Sequence, residues 1–190
     1  MAGTWVVVLA GGASRRFGRD KLSADLDGRS LLDATLTSVP ADLPVVVVGP
    51  ERELARVVTV VREDPPGGGP AAGLVTGLRT ALSAGADLVV TLPGDAPRAG
   101  SAVPVLLAAL DGGSDLAVAV GADGQLFPLQ LACTRAGAGR FLEAAGDGAG
   151  LSVRRVLEPL DPVRVLVGQD ALRDVDRPDD LRDVGGDPTA

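Results

Sequence analysis

Four short runs of almost unbroken apolar residues limit what this chain can fold into: residues 5–9, 45–48, 57–61 and 88–92. A strand with one wetted face alternates apolar and polar residues. Runs like these need cover on both faces, the condition of parallel strands sandwiched between helices. Three further candidate strands follow at 116–120, 126–131 and 163–167, and helix-forming stretches lie at 31–39, 71–84 and 102–110. Ser30, with Asp33 three residues on, resembles a capping box opening the first helix, with Asp in place of Glu or Gln. Pro178 suits the first turn of a last helix ending at Val184. The alternation predicts an α/β fold: a single three-layer Rossmann-like domain with a mostly parallel mixed sheet over residues 1–184, then a flexible tail at 185–190. Ligands are expected at the carboxyl ends of the strands.

Composition narrows the chemistry. The 190 residues are 46% hydrophobic, enough for one substantial core. No apolar run approaches the roughly 20 residues that a membrane helix requires. The start of the chain lacks the basic and apolar regions of a secretory leader, and the single cysteine, Cys133, suits a reducing compartment. A cytoplasmic protein, monomeric or weakly self-associating, with neither membrane nor nucleic-acid partners, is expected. The net charge of −7 speaks against a nucleic-acid surface. It leaves room for anionic small molecules bound where positive charge is concentrated in a cleft. With three Phe, one Trp and no Tyr, a nucleobase would be recognised mainly by hydrogen bonds. The absence of His rules out His-based triads and His-ligated zinc, so any metal should be hard and oxygen-bound, Mg²⁺ above all.

The first apolar run leads into Ala10-Gly-Gly-Ala-Ser-Arg-Arg-Phe-Gly-Arg-Asp-Lys21. Gly11 and Gly12 allow backbone N–H groups to approach an anion, and Arg15, Arg16 and Lys21 supply charge. Lys21 is the only lysine in the chain, against seventeen arginines. A compact ammonium on a flexible stem does what the planar guanidinium fork does not. The loop is neither a P-loop, since Leu22 follows Lys21, nor a Rossmann fingerprint, since positions 13 and 16 are Ala and Arg.

Leu9-Ala-Gly-Gly12, Ser14, Arg16, Gly18 and Lys21 resemble the signature of the nucleotidyltransferases related to molybdenum cofactor guanylyltransferase. Phe17 stands where that family has Met. Leu26-Asp-Gly-Arg-Ser-Leu-Leu32 is similar to the family's Leu-x-Gly-x-x-Leu-Leu, and the likeness runs through nearly the whole chain. Gly69-Pro70-Ala71-Ala72-Gly73, preceded by Asp64, is similar to the Gly-Pro-Leu-Ala-Gly that opens a helix near the nucleoside. Pro93-Gly-Asp95-Ala-Pro97 resembles the segment whose aspartate holds the metal; Gly94 differs from the family there, a change expected to be harmless. Asp174-Val-Asp176-Arg-Pro178 is similar to the family's terminal Asn-x-Asn-Thr-Pro segment with aspartates for asparagines. Asp176 is therefore a second metal ligand, a substrate-orienting group or a helix cap. Phe127-Pro128-Leu129 occupies the place of a His-Pro-Leu-like strand entry near the acceptor.

The resemblance implies a nucleotide-diphospho-sugar transferase-like fold and Mg²⁺-dependent transfer of GMP from GTP to the terminal phosphate of molybdopterin, with release of pyrophosphate. Arg16, Lys21 and Asp95 are the implied catalytic residues. Leu9, Ala10, Gly11, Gly12, Ser14, Arg16, Lys21, Asp64, Gly69, Pro70, Gly73 and Asp95 are the implied nucleotide-binding set, with Asp95 and Asp176 on the metal. Glycine at position 12 leaves room for a purine edge and agrees with the guanine users. The alternatives are a cytidylyltransferase or other nucleotidyltransferase acting on a different phosphorylated acceptor, and a nucleotide-binding protein without turnover. Cys133 is expected to be an inert core residue, since no histidine is present to activate it.

Overall fold

Strand β1 (Thr4–Leu9) buries Val6, Val7 and Val8 completely. Its side chains alternate across the sheet, so Val6 and Val8 enter one core and Val7 the other. In the computed structural model, which describes residues 3–11 and 20–184, β1 lies inside a seven-stranded sheet of order β5-β4-β1-β6-β8-β7-β9. The other strands are β4 (Val45–Val48), β5 (Thr59–Val61), β6 (Leu88–Pro93), β7 (Leu116–Val120), β8 (Leu126–Thr134) and β9 (Val163–Leu166). Only β8 runs antiparallel to its neighbours; all other pairings in the sheet are parallel. A short hairpin, β2 (Asp25–Leu26) and β3 (Arg29–Ser30), stands apart.

Helix α1 (Leu31–Ser38) covers the Val6/Val8 face through Leu31, Leu32 and Leu36. The expected cap is present in altered form. Ser30 Oγ accepts the Asp33 N–H and donates to the Asp33 carboxylate at 2.6 Å, while the other oxygen of Asp33 accepts the N–H of Ala55. The opposite face is covered by α2 (Pro70–Ser83) and α4 (Arg135–Ala145), whose Leu74, Leu78 and Phe141 fill the second core with Val7, Val46 and Val89. Helix α2 lies close on the sheet because Gly77 has no side chain: a Cβ there would overlap Val7 Cγ1 and stand 3.0 Å from Val48 Cγ2.

Several expectations need correction. The run at 57–61 is strand only over Thr59–Val61, at the sheet edge, and Val57 is 98% exposed. Val57 precedes the strand, in an irregular segment that pairs with no neighbour in the sheet. The helix expected at 102–110 opens as a 3-10 turn (Ala99–Ala102) and continues as α3 (Val103–Ala108). Helix α4 has no counterpart in the sequence reading; Gly137 and Gly139 weaken its local propensity, and burial of Phe141 and Ala138 decides in its favour. Short helices α5 (Val153–Leu157) and α6 (Gln169–Leu172) were likewise not expected, and the last helix, α7 (Asp180–Val184), begins two residues beyond Pro178. The tail at 185–190 lies outside the described residues. No helix among them is long and apolar enough to cross a membrane.

Two glycines in helices should respond oppositely to alanine. Gly77→Ala should lower unfolding stability in urea by about 1–3 kcal/mol through overpacking against β1. Gly139→Ala, exposed with nothing near its Cβ, should raise stability by about 0.4–1 kcal/mol. A neutral Gly77→Ala would mean that α2 can lift off the sheet without loss.

Candidate active site

Parallel strands β1, β4 and β6 end on one rim. Asp95 follows β6 by two residues and is half-buried. Its carbonyl accepts the N–H of Val175 at 2.9 Å, which ties the segment between α6 and α7 to the loop after β6. Asp174 and Asp176 flank that bond, and carboxylate oxygens of Asp95, Asp174 and Asp176 lie within 4.8 Å of one another. The segment 174–176 thereby reaches the β6 rim although some eighty residues separate them, from 95 to 174.

Lys21 enters this cluster from the far end of the glycine-rich loop. Its ammonium pairs with Asp95 at 2.5 Å and Asp176 at 3.3 Å and donates to the Val175 carbonyl at 3.0 Å. Burial draws its pKa down, but the hydrogen bonds and charges of Asp95 and then Asp176 outweigh it and hold the group above its ordinary 10.5. Lys21 is placed by a short 3-10 turn (Lys21–Ser23) that Asp20 caps, accepting from the Leu22 N–H and the Ser23 hydroxyl. Arg52, from the loop after β4, pairs with Asp20 at 2.9 Å and anchors that turn. Asp174 is pushed above its ordinary value, first by desolvation and then by the charges of Asp95 and Asp176.

Two cavities open on either side of the carboxylates. One, of about 560 Å³, runs beneath the rim of β1 and β4 and is lined by Leu9, Gly11, Glu63, Gly69, Gly73 and Asp95, among others. The other, of about 700 Å³, is lined by Gln125, Phe127, Gln169, Leu172, Arg173 and Asp174, among others. Strand β8 contributes to both. Its pairing with β7 shifts register where Pro128 has no N–H to offer, so Phe127 faces the second cavity and Leu129 the first. Thr91 Oγ1 donates to the Leu129 carbonyl at 2.8 Å in that irregular stretch.

Of the residues singled out in the sequence, Leu9, Gly11, Gly69, Pro70, Gly73 and Asp95 line the first cavity. Ala10 is buried just below it, its N–H on the Val48 carbonyl. Gly69 holds φ at 91°, a conformation open to glycine, and lets Pro70 start α2 at the cavity wall. Gly94, expected to be a harmless departure, has a packing reason: a Cβ would stand 2.9 Å from the Leu9 carbonyl oxygen. Asp64 is exposed and does not line the cavity; its N–H bonds Thr76 Oγ1, and the wall at this point is Glu63 instead. Gly12, Ser14, Arg15, Arg16, Phe17 and Gly18 lie outside the described residues. Asp174 and Glu63 were missed as site residues. Asp174 had a usable signal, since residues two apart on an extended segment share a side with Asp176. Glu63 had the same alternation along β5, but only the fold says which side faces the cavity.

The donor set of Asp95, Asp174 and Asp176 is hard oxygen throughout, and two of the three, Asp95 and Asp176, already hold one cation, the Lys21 ammonium. That arrangement fits a hard divalent ion. Buried Cys133 has no part in it; burial pushes its thiol up to about 12.

The architecture is that of the nucleotide-diphospho-sugar transferase fold shared by nucleotidyltransferases. It superimposes on molybdopterin-guanine dinucleotide biosynthesis protein A from Archaeoglobus fulgidus with a TM-score of 0.73 at 21% identity, covering 95% of this chain and 96% of the other. It also superimposes on the homologue of Mycobacterium tuberculosis rv0371c from Mycobacterium sp. strain JC1 with a TM-score of 0.72 at 28% identity, covering 97% and 98%. Residues 6–165 match the family described as the MobA-like NTP transferase domain, and the chain belongs to that family. A curated relative, the molybdenum cofactor guanylyltransferase of Acidiphilium cryptum (strain JF-5), is 38% identical over 99 residues, 49% of this chain and 50% of the relative. The chain spans about half to three fifths of the length of the curated relatives it matches.

Asp174→Asn tests the cost of holding that carboxylate ionised, desolvated first and then beside Asp95 and Asp176. Because the folded-state carboxyl is raised, its ionised form is less favourable folded than unfolded, and removing the charge should stabilise the protein at pH 7. The gain should shrink as pH falls toward 3.8, the ordinary value, below which Asp174 is neutral in both states. Urea midpoints at pH 7.5, 5.5 and 4 check this; a gain independent of pH would exclude the ionised carboxylate as its cause.

Proposed function

We propose that the chain is a guanylyltransferase that transfers GMP from GTP to the terminal phosphate of molybdopterin and releases pyrophosphate. The observation that carries this reading is the meeting of Lys21, Asp95, Asp174 and Asp176 between two cavities, one beside the glycine-rich loop and one beyond β8. Two substrates seated on opposite sides of one charged cluster are what a transfer between two phosphate compounds requires. The relatives named molybdenum cofactor guanylyltransferase support the choice of substrates.

In this reading GTP occupies the cavity lined by Leu9, Gly11 and Gly73, and the acceptor occupies the cavity lined by Phe127 and Arg173. An oxygen of the acceptor phosphate attacks the α-phosphorus in line. The new P–O bond forms as the bond to the β-phosphate oxygen breaks, and pyrophosphate leaves with the bonding pair. The attacking phosphate is already ionised, so no general base is needed. Backbone N–H groups at Gly11 and Gly12, with Arg16, would hold the β- and γ-phosphates. Lys21 offsets charge that grows on the transferred group, and its flexible stem lets it leave the carboxylates for the phosphates. Asp95, with Asp174 and Asp176, would hold Mg²⁺, which supplies charge neutralisation between the two phosphate groups when bound. Asp176 thus takes the metal-ligand role among the three that its sequence left open. Catalysis is then positioning plus electrostatic stabilisation, as in phosphoryl transfer generally.

Calorimetric titration with GTP, CTP, ATP and UTP in the presence of Mg²⁺, followed by pyrophosphate release with molybdopterin, tests the reading. Selective GTP binding and turnover are expected. Lys21→Ala and Asp95→Ala should each lower kcat by about 10²–10³-fold. A preference for CTP would move the protein to the cytidylyltransferases, and tight GTP binding without turnover would make it a nucleotide-binding protein.

A further inference from the structure

The wall of the first cavity holds a carboxylate that the transfer chemistry does not use. Glu63 is half-buried and follows β5 by two residues. Its Oε1 accepts the N–H of Gly67 at 2.8 Å, which fixes the carboxylate plane against the glycine-rich turn before α2. Its Oε2 stands between two residues without side chains: a Cβ at Gly11 would lie 3.8 Å from it, and one at Gly73 3.7 Å. Leu9 Cδ2 and Val48 Cγ1 border the same spot, at 3.5 and 3.8 Å from the Gly73 position. No hydrogen bond to Oε2 is formed among the described residues.

Glu63 stands outside the group formed by Asp95, Asp174 and Asp176, and a carboxylate without a cation repels the polyphosphate. Among the described residues, the cavity lining contains no cationic side chain that would neutralise it. Glu63 therefore faces a neutral part of the ligand that offers donors. The surrounding wall, apolar at Leu9 and Val48 and flat at Gly11 and Gly73, fits a planar ring. Guanine presents two parallel donors side by side, the N1–H and an N–H of the 2-amino group, which match the two oxygens of a carboxylate; Oε1 keeps a second lone pair after bonding Gly67. Adenine and cytosine offer one amino donor next to an acceptor nitrogen, and uracil one imino donor between two carbonyls, so each would set a lone pair against Glu63.

We propose that Glu63 is the residue that selects guanine, accepting from N1–H and the 2-amino group of GTP. The proposal rests on the reading that this cavity takes the nucleotide. It places Glu63 at the base, beside Asp64 of the implied nucleotide-binding set.

The test compares GTP, ITP (which lacks the 2-amino group) and 2′-deoxy-GTP by calorimetry on the full chain and on Glu63→Gln. The glutamine keeps an oxygen for Gly67 and so preserves the turn, which thermal unfolding of the variant checks. Wild type should bind GTP about 10- to 100-fold more tightly than ITP, the range for a hydrogen bond to a charged group. In Glu63→Gln that preference should collapse to within about threefold. Equal binding of GTP and ITP by wild type, or a GTP preference that survives in the variant, would overturn the assignment. A variant that instead loses only the preference for GTP over 2′-deoxy-GTP would also overturn it, placing Glu63 on the ribose. If wild type binds CTP in preference to GTP, the guanylyl reading falls and this assignment falls with it.

Discussion

Everything in this protein hangs on burying the valines of β1 from both sides. Val6 and Val8 face α1, and Val7 faces α2, so neither core exists without the other. The strand therefore has to lie inside a sheet between helices, with parallel neighbours β4 and β6. Parallel neighbours carry their carboxyl ends to the same rim. Gly11 at the end of β1, the loop after β6 with Asp95, and the start of α2 meet there as a consequence of core packing. The site is thus a by-product of apolar burial, and the side chains on the rim supply its chemistry.

Electrostatics works against folding at that rim. Three carboxylates share one small region, and desolvation, then the charges of Asp95 and Asp176, raises the Asp174 pKa. Lys21 offsets those charges by pairing with Asp95 and Asp176, and Arg52 holds the turn that delivers Lys21 through Asp20. A side chain that neutralises the cluster when no other cation is bound, yet sits on a flexible stem, is well placed to exchange partners when a polyphosphate arrives. This gives a physical reason for the single lysine in a chain that otherwise uses arginine: a guanidinium fork would lock onto a carboxylate pair in one plane.

The α/β class and the strands at 45–48, 88–92 and 116–120 were legible because apolar runs and their breaks report burial directly. Helix α4 was not, because Gly137 and Gly139 hide it locally and Phe141 reveals it only once its place in the core is known. The run at 57–61 misled in the other direction: its composition is that of an interior strand, but only Thr59–Val61 pairs, at the sheet edge, and Val57 before it lies in solvent. Sequence pattern measures how apolar a segment is, not how many neighbours it finds.

The same division holds in the site. The sequence by itself determined the chemical parts: a glycine loop with one lysine, an aspartate after a buried strand, and a late pair of aspartates. These are local patterns whose residue types and spacings carry meaning without a fold. Only the tertiary structure decided that Asp174 joins Asp95 and Asp176, that Glu63 rather than Asp64 turns into the cavity, and that β8 divides two cavities at Pro128. Those facts depend on the direction in which a side chain leaves its strand and on contacts between residues far apart in sequence, and they are set only when the sheet closes its two cores.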